Sequence, residues 1–183
     1  MTNVSANLGS KNLLKGFLVN RIIYTTGDVS KAKEKYIAHG CNARGVMGSG
    51  VAKAIRARFP ECYEFYRWNF VRSGLQLGDV ITWEEPIEGP FAEHLEHDKN
   101  KVVFNCISQQ GYGRDPDVQY VSYDAVKSCV EQINQYFERT ETKSIIPTVA
   151  FSKIGAGLGN GDWSIIERIL ATTAEFHVKV YEL

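Results

Sequence analysis

Apolar and polar positions fall in short runs along this chain, and the period of the runs changes from one to the next. Residues 21–26, 36–41, 79–83, 101–107, 144–150 and 177–181 are apolar or alternating stretches of strand length. Longer stretches of helical period lie between them. Val51, Ile55 and Phe59 recur on one face of a helix predicted over 51–59, which Pro60 interrupts. A second helix is predicted from residue 61 to about 72. It carries Tyr63, Phe65, Tyr66, Trp68 and Phe70, spaced for core packing, and stops at Ser73-Gly74. Over 121–139, Val126, Val130, Ile133 and Phe137 form a buried stripe. Asp162 is placed to cap a helix running to about residue 175.

Strands alternating with helices imply parallel pairing, right-handed crossovers and a sheet covered on both faces. The fold class is therefore α/β, and ligands are expected beyond the carboxyl ends of the strands. The chain has 183 residues and 44% hydrophobic residues, which suits one domain. Residues 1–15 are polar and read as a tail, with the domain over 16–183. Residues 84–100 read as a charged loop or hairpin tip.

Twenty-one basic residues balance twenty-one acidic ones, so overall charge argues for neither a nucleic-acid nor a membrane partner. No apolar run reaches the ~18 residues that a membrane span needs. The cysteines are Cys41, Cys62, Cys106 and Cys129, with no C-x-x-C pair. They read as buried, reduced thiols of a cytoplasmic protein, expected to be a monomer.

Two glycine-rich loops carry the candidate chemistry. His39-Gly40-Cys41-Asn42-Ala43-Arg44-Gly45-Val46-Met47-Gly48-Ser49-Gly50-Val51-Ala52 follows a strand and opens a helix. That order brings backbone amides up to a phosphate. Ser152-Lys153-Ile154-Gly155-Ala156-Gly157-Leu158-Gly159-Asn160-Gly161 leaves a second strand end in the same way. Either loop alone is also a tight strand-to-helix connection; two together fit a clamp around a diphosphate. Neither has the spacing of a Walker A loop or a dinucleotide fingerprint.

Other residues admit two readings each. Asp28, after Gly27, could accept an exocyclic amine or simply cap its turn. Asn42 could orient a ribose hydroxyl or water, or serve its own loop. His39 is a general acid or base in one reading and a satisfied core residue in the other. His94 and His97 sit in a polar, acidic stretch without further ligands at metal spacing, so no metal is assigned. Arg114 and Asp115, in the long loop 108–119, either reach the ligand or pair with each other.

Gly27-Asp28-Val29, Cys41-Asn42 through Ala52, Ile154-Gly155-Ala156-Gly157-Leu158 and the terminal Val-Tyr-Glu-Leu together resemble the macrodomain family, from about residue 19 to the end. The resemblance implies a three-layer α/β/α fold with a mixed, mostly parallel sheet that binds ADP-ribose without a cofactor. By this resemblance Asp28 takes the adenine amino group, the Val29 amide contacts the base and Leu183 closes that side. Asn42 addresses the distal ribose. Gly48, Ser49, Gly50 and Val51, with Gly155, Ala156, Gly157 and Leu158, hold the diphosphate and distal ribose. Gly27, Cys41, Ala43, Met47, Ala52, Ser152, Lys153 and Ile154 complete the expected ligand-binding set.

The likeness is greatest to compact members of the ADP-ribose 1″-phosphate phosphatase and terminal ADP-ribose protein glycohydrolase types. Ala52 stands where hydrolases acting on ADP-ribosyl carboxylates have aspartate. Gln109 stands where the terminal glycohydrolases have lysine, and Gly159 where they have aspartate. His39, Cys41 and Asn42 match the phosphatase pattern. The resemblance therefore implies hydrolysis of ADP-ribose 1″-phosphate to ADP-ribose and phosphate, with His39, Asn42 and Asp162 as candidate catalytic residues. The alternatives are an ADP-ribose reader without turnover, a hydrolase removing ADP-ribose from protein or nucleic acid, and a generic nucleotide-binding α/β protein.

Overall fold

Six strands and four helices follow the predicted order. The computed structural model describes residues 22–86, 100–140 and 145–183. The tail over 1–15, His94, His97 and most of the loop expected over 84–100 lie outside the described residues. The elements are β1 (Ile22–Thr26), a 3-10 turn (Val29–Lys31), β2 (Tyr36–Asn42), α1 (Gly50–Arg58), α2 (Pro60–Ser73), β3 (Val80–Glu84) and β4 (Val102–Gln109). They continue with α3 (Tyr123–Thr140), β5 (Thr148–Ser152), α4 (Trp163–Thr173) and β6 (His177–Glu182).

The strands form one sheet in the order β1-β6-β5-β2-β4-β3. Every pair is parallel except β3 with β4. Side-chain alternation along the strands sorts the core into two faces. Tyr36 and Ala38 of β2 and Phe104 of β4 pack with Val126, Val130 and Ile133 of α3 and Ile166 and Leu170 of α4. On the other face Ile37 and Val103 meet Ile55 of α1 and Cys62 of α2, and Cys41 and Ile107 meet Tyr63 and Tyr66. The result is the three-layer α/β/α arrangement with a mixed sheet.

Neighbouring strands β2 and β5 send their following helices to opposite faces, α1 to one and α4 to the other. Such a divergence opens a crevice at the carboxyl ends of the two strands. Both glycine-rich loops leave the sheet at that point.

Several boundaries differ from the periodicity. The strand expected over 144–150 runs from Thr148 to Ser152. Pro147 has no N–H for the ladder, and Phe151 and Ser152 continue the pairing with Val180 and Tyr181. β4 continues through Ser108 and Gln109, so the loop expected from 108 begins at 110. α3 starts at Tyr123 because Val121 is held in an isolated bridge to Gln109. The Ala125 N–H is capped by the Ser122 hydroxyl, 3.2 Å away. α4 ends at Thr173. In α2, Tyr63 and Tyr66 enter the core, whereas Phe65 and Trp68 face outward. They stack on each other at 6.2 Å, and Arg72 lies over the indole.

All four cysteines are buried and unbridged. Among the described residues no helix is long and apolar enough to cross a membrane. No three His, Cys, Asp or Glu side chains gather there as metal ligands.

Candidate functional site

The loop after β2 is built around Asn42. Its Nδ2 donates to the Val46 carbonyl at 2.7 Å, and its Oδ1 accepts from the Arg44 N–H at 3.0 Å. The Tyr66 hydroxyl donates to the Asn42 carbonyl from α2. Gly45 turns at φ 70° with its α-carbon against the Phe70 ring, where a Cβ would stand 2.6 Å from Cδ1. The chain then enters α1 at Gly50 with φ 55°. These constraints leave residues 48–52 presented at the amino-terminal end of a helix, the electropositive end.

The loop after β5 turns at Gly155, φ 74°, where a Cβ would meet Val121 Cγ2 at 2.5 Å. Gly161 N–H closes it on the Gly155 carbonyl at 2.9 Å. Asn160 Nδ2 donates to the carbonyls of Asp115 and Val118, at 2.7 and 2.8 Å, and ties it to the loop after β4.

Between these three loops lies a cavity of about 540 Å³. The expected residues that it brings together are Asn42, Gly48, Ser49, Gly50, Val51, Ala52, Ser152, Lys153, Ile154, Gly155, Gly157 and Leu158. Arg114, expected to face this side, also lines it. Gly40, Val46, Gln109, Tyr112, Gly113 and Gly159 line it too, beyond the expected set. Gly40 had a signal: a glycine inside a buried strand marks close approach of another group. Glycines and other small residues make up most of this wall. Among the described residues no carboxylate, imidazole or thiol lines the cavity. Its ionisable side chains are Tyr112, Arg114 and Lys153, and Lys153 is paired with Glu182 at 2.5 Å.

His39 does not reach the cavity. It is fully buried on the α1–α2 face of the sheet, with Nε2 2.8 Å from Asn105 Oδ1. Asn105 Nδ2 donates to the Ile81 carbonyl at 2.9 Å, which turns Oδ1 toward His39 and puts the ring proton on Nε2. Burial holds the imidazole pKa down to about 4 against the Asn105 hydrogen bond, so the ring is neutral at pH 7. The core reading is the one that its surroundings fit. Cys41 lies beside it, 3.7 Å from Nδ1, with burial pushing its thiol well up.

Asp162 caps α4, accepting from the Ser164 N–H at 2.8 Å and hydroxyl at 2.7 Å, and does not line the cavity. Those two bonds hold its carboxyl below the usual range. A carboxylate committed to a cap and kept ionised is poorly suited to taking up a proton.

The expected adenine side is also outside the cavity. Asp28 Oδ1 caps the 3-10 turn, accepting from the Ser30 N–H at 2.9 Å and its hydroxyl at 2.8 Å. Gly27 N–H donates to the Glu182 carbonyl, and Val29 is buried. Leu183 is almost wholly exposed. Ala43 and Met47 are buried behind the first loop, and Ala156 lies off the cavity wall.

No family model matches the chain. A 17.5 kDa protein of Enterobacteria phage T4, described as uncharacterized, is 35% identical over 155 residues, covering 81% of this chain and 87% of its own length. The ADP-ribose 1″-phosphate phosphatase of Candida albicans is 21% identical, covering 87% of this chain and 98% of its own. A DNA ADP-ribosyl glycohydrolase of Thermus aquaticus is 24% identical over 87% of this chain, which spans 40% of that protein. Among solved structures, a macrodomain protein from Streptomyces coelicolor superposes with a TM-score of 0.63 at 26% identity, covering 89% of this chain and 99% of its own. The macrodomain of Mycobacterium tuberculosis DarG does so at 0.68 and 18%, covering 90% and 99%. The strand order, the paired glycine loops at the β2–β5 divergence and these likenesses agree: the chain has the macrodomain fold.

Proposed function

We propose that this macrodomain binds ADP-ribose and hydrolyses ADP-ribose 1″-phosphate to ADP-ribose and inorganic phosphate. The observation that carries the reading is the cavity itself. Two glycine-rich loops face each other across it, and among the described residues its wall holds Arg114 and Lys153 but no carboxylate. Such a wall suits a phosphorylated ligand. The likeness to ADP-ribose 1″-phosphate phosphatases supports the same choice of substrate.

The chemistry would rest on positioning and on charge. Backbone amides of both loops would hold the diphosphate and steady the charge developing on the transferred phosphoryl group. Water attacks phosphorus, a P–O bond to water forms, and the bond from phosphorus to the 1″-oxygen breaks. One water proton ends on the 1″-oxygen of ADP-ribose and the other stays with phosphate. With no carboxylate or imidazole among the described residues of the wall, the phosphate's own oxygen is the acceptor at hand. Asn42 contributes by holding its loop in shape through Val46 and Arg44. His39 and Asp162 take no direct part.

Calorimetry with ADP-ribose, and phosphate release from ADP-ribose 1″-phosphate by the same preparation, test this. Binding with release is expected. Binding without release would favour a reader of ADP-ribose, and no binding would overturn the assignment of ligand. A second reading, removal of ADP-ribose from a macromolecule, is favoured by the open rim, where Tyr112 is 60% exposed and Arg114 is exposed as well. Release of ADP-ribose from modified DNA or protein would establish it.

A further inference from the structure

Arg114 stands apart from the other charged groups near the cavity. Its neighbour Asp115 accepts from the Asp117 N–H at 3.0 Å through Oδ1, and the Asp115 carbonyl accepts from Asn160. Arg114 itself makes no hydrogen bond or ion pair with the described residues. The loop that carries it is nevertheless braced. Asn160 holds Asp115 and Val118, and the N–H groups of Tyr120 and Val121 donate to the Gly159 carbonyl at 2.9 and 3.0 Å. A guanidinium without a partner among the described residues, on a braced loop at the wall of a cavity, is available to a ligand anion.

The sheet order says which end of the ligand it meets. Strands run β1-β6-β5-β2-β4-β3, and the two clamp loops follow the central pair β5 and β2. Asp28 and Leu183, the expected adenine side, follow β1 and β6 on one flank. Arg114 follows β4 on the other. Lys153, the other cavity cation, is drawn toward the β6 flank by Glu182. Among the described residues lining the cavity, Arg114 is therefore the cation of the far flank, beyond the clamp from the adenine side.

We infer that Arg114 is a specificity-determining residue that reads a phosphate attached beyond the distal ribose of the ligand. The inference rests on the reading of the cavity as an ADP-ribose site. Its chemistry is a fork of N–H donors on a phosphate with two accessible oxygens. A phosphate monoester at the 1″ position and a phosphodiester of a nucleic-acid strand bearing ADP-ribose share that chemistry.

The test measures three ligands on wild type, Arg114→Ala and Arg114→Lys by calorimetry: ADP-ribose, ADP-ribose 1″-phosphate and an ADP-ribosylated oligonucleotide. Arg114→Ala is expected to weaken the phosphate-bearing ligand about tenfold or more beyond any change in ADP-ribose binding, with Arg114→Lys between them. A loss confined to ADP-ribose 1″-phosphate identifies the monoester as the source, and a loss confined to the oligonucleotide identifies the strand. Equal losses for ADP-ribose and both other ligands, or no loss for any, would overturn the inference. If wild type binds none of the three, the ADP-ribose reading fails first. If wild type binds all three and Arg114→Ala binds them equally well, only the role of Arg114 fails.

Discussion

Tyr66 donates its phenolic hydrogen to the main-chain carbonyl of Asn42, joining the second helix to the last residue of β2, from which the loop that forms one wall of the cavity departs. The ring is fully buried, and burial raises its pKa, so it stays a donor throughout the usual pH range. Tyr66→Phe removes the donor and leaves a buried carbonyl unpaired, a loss of about 1–3 kcal/mol. Denaturant unfolding should register that loss, and calorimetry should show weaker ADP-ribose binding because the Asn42 loop is no longer anchored. Unchanged values in both would mean that the Asn42 side-chain bonds suffice.

The His39 ring links stability to acid. It takes a proton near pH 6.5 in the unfolded chain but near 4 when folded. Below pH 6.5 the unfolded state therefore holds more protons, and stability falls as pH drops through that window, levelling off below about 4. The span corresponds to roughly 3 kcal/mol as an order of magnitude. His39→Gln should lack this part of the acid sensitivity, and melting temperatures followed from pH 7 to 4 will tell. The pH–rate profile of phosphate release should contain no His39 inflection near 6.5.

Two glycines of the second loop separate folding from binding. Gly155 has φ 74° and no space for a Cβ beside Val121, whereas Gly157 has nothing within 4 Å of its Cβ position. Gly155→Ala should cost about 1–3 kcal/mol of stability. Gly157→Ala should melt like wild type while binding ADP-ribose less well, since Gly157 lines the cavity and a methyl group there meets no protein atom. Thermal scans with calorimetry compare the two directly.

Ser108 carries a buried hydroxyl without a hydrogen-bond partner among the described residues. It occupies the irregular step where Cys41 pairs with Ile107 but Asn42 pairs with Gln109. Removing an unpaired buried hydroxyl relieves its desolvation cost, so Ser108→Ala should be neutral or stabilising by up to about 1 kcal/mol. A destabilised variant would reveal a partner for that hydroxyl.

Much of this arrangement was legible in the sequence, for identifiable reasons. The glycine-rich stretches after residues 41 and 151 are local signals, and they marked both clamp loops and most of the cavity wall. The helix stripes, such as Val126, Val130 and Ile133, are periodic and placed α3 on the sheet. What escaped depends on three-dimensional neighbours. His39 has the composition of an acid–base residue, but only the strand's alternation and Asn105 on β4 show that it faces the core. Asp162 reads both as a base and as a cap, and the structure shows the cap, with Ser164 as its donor. Gln109 and Tyr112 join the site because β4 runs two residues further than its apolar run, through a register shift that leaves no mark on composition. Phe65 and Trp68 face outward although their spacing fits a buried stripe, because Tyr63 and Tyr66 already cover that part of the sheet.

The four enclosed cysteines make the folded chain chemically quiet. Burial raises the thiols of Cys41 and Cys62, a hydrogen bond with Cys129 together with burial raises that of Cys106, and none of the four side chains is open to solvent. An alkylating reagent therefore meets a reactive thiolate only after the layers part. Pulsed labelling would time that opening without any engineered probe, and a bound ligand that braces the loops should lengthen the interval before the first label appears.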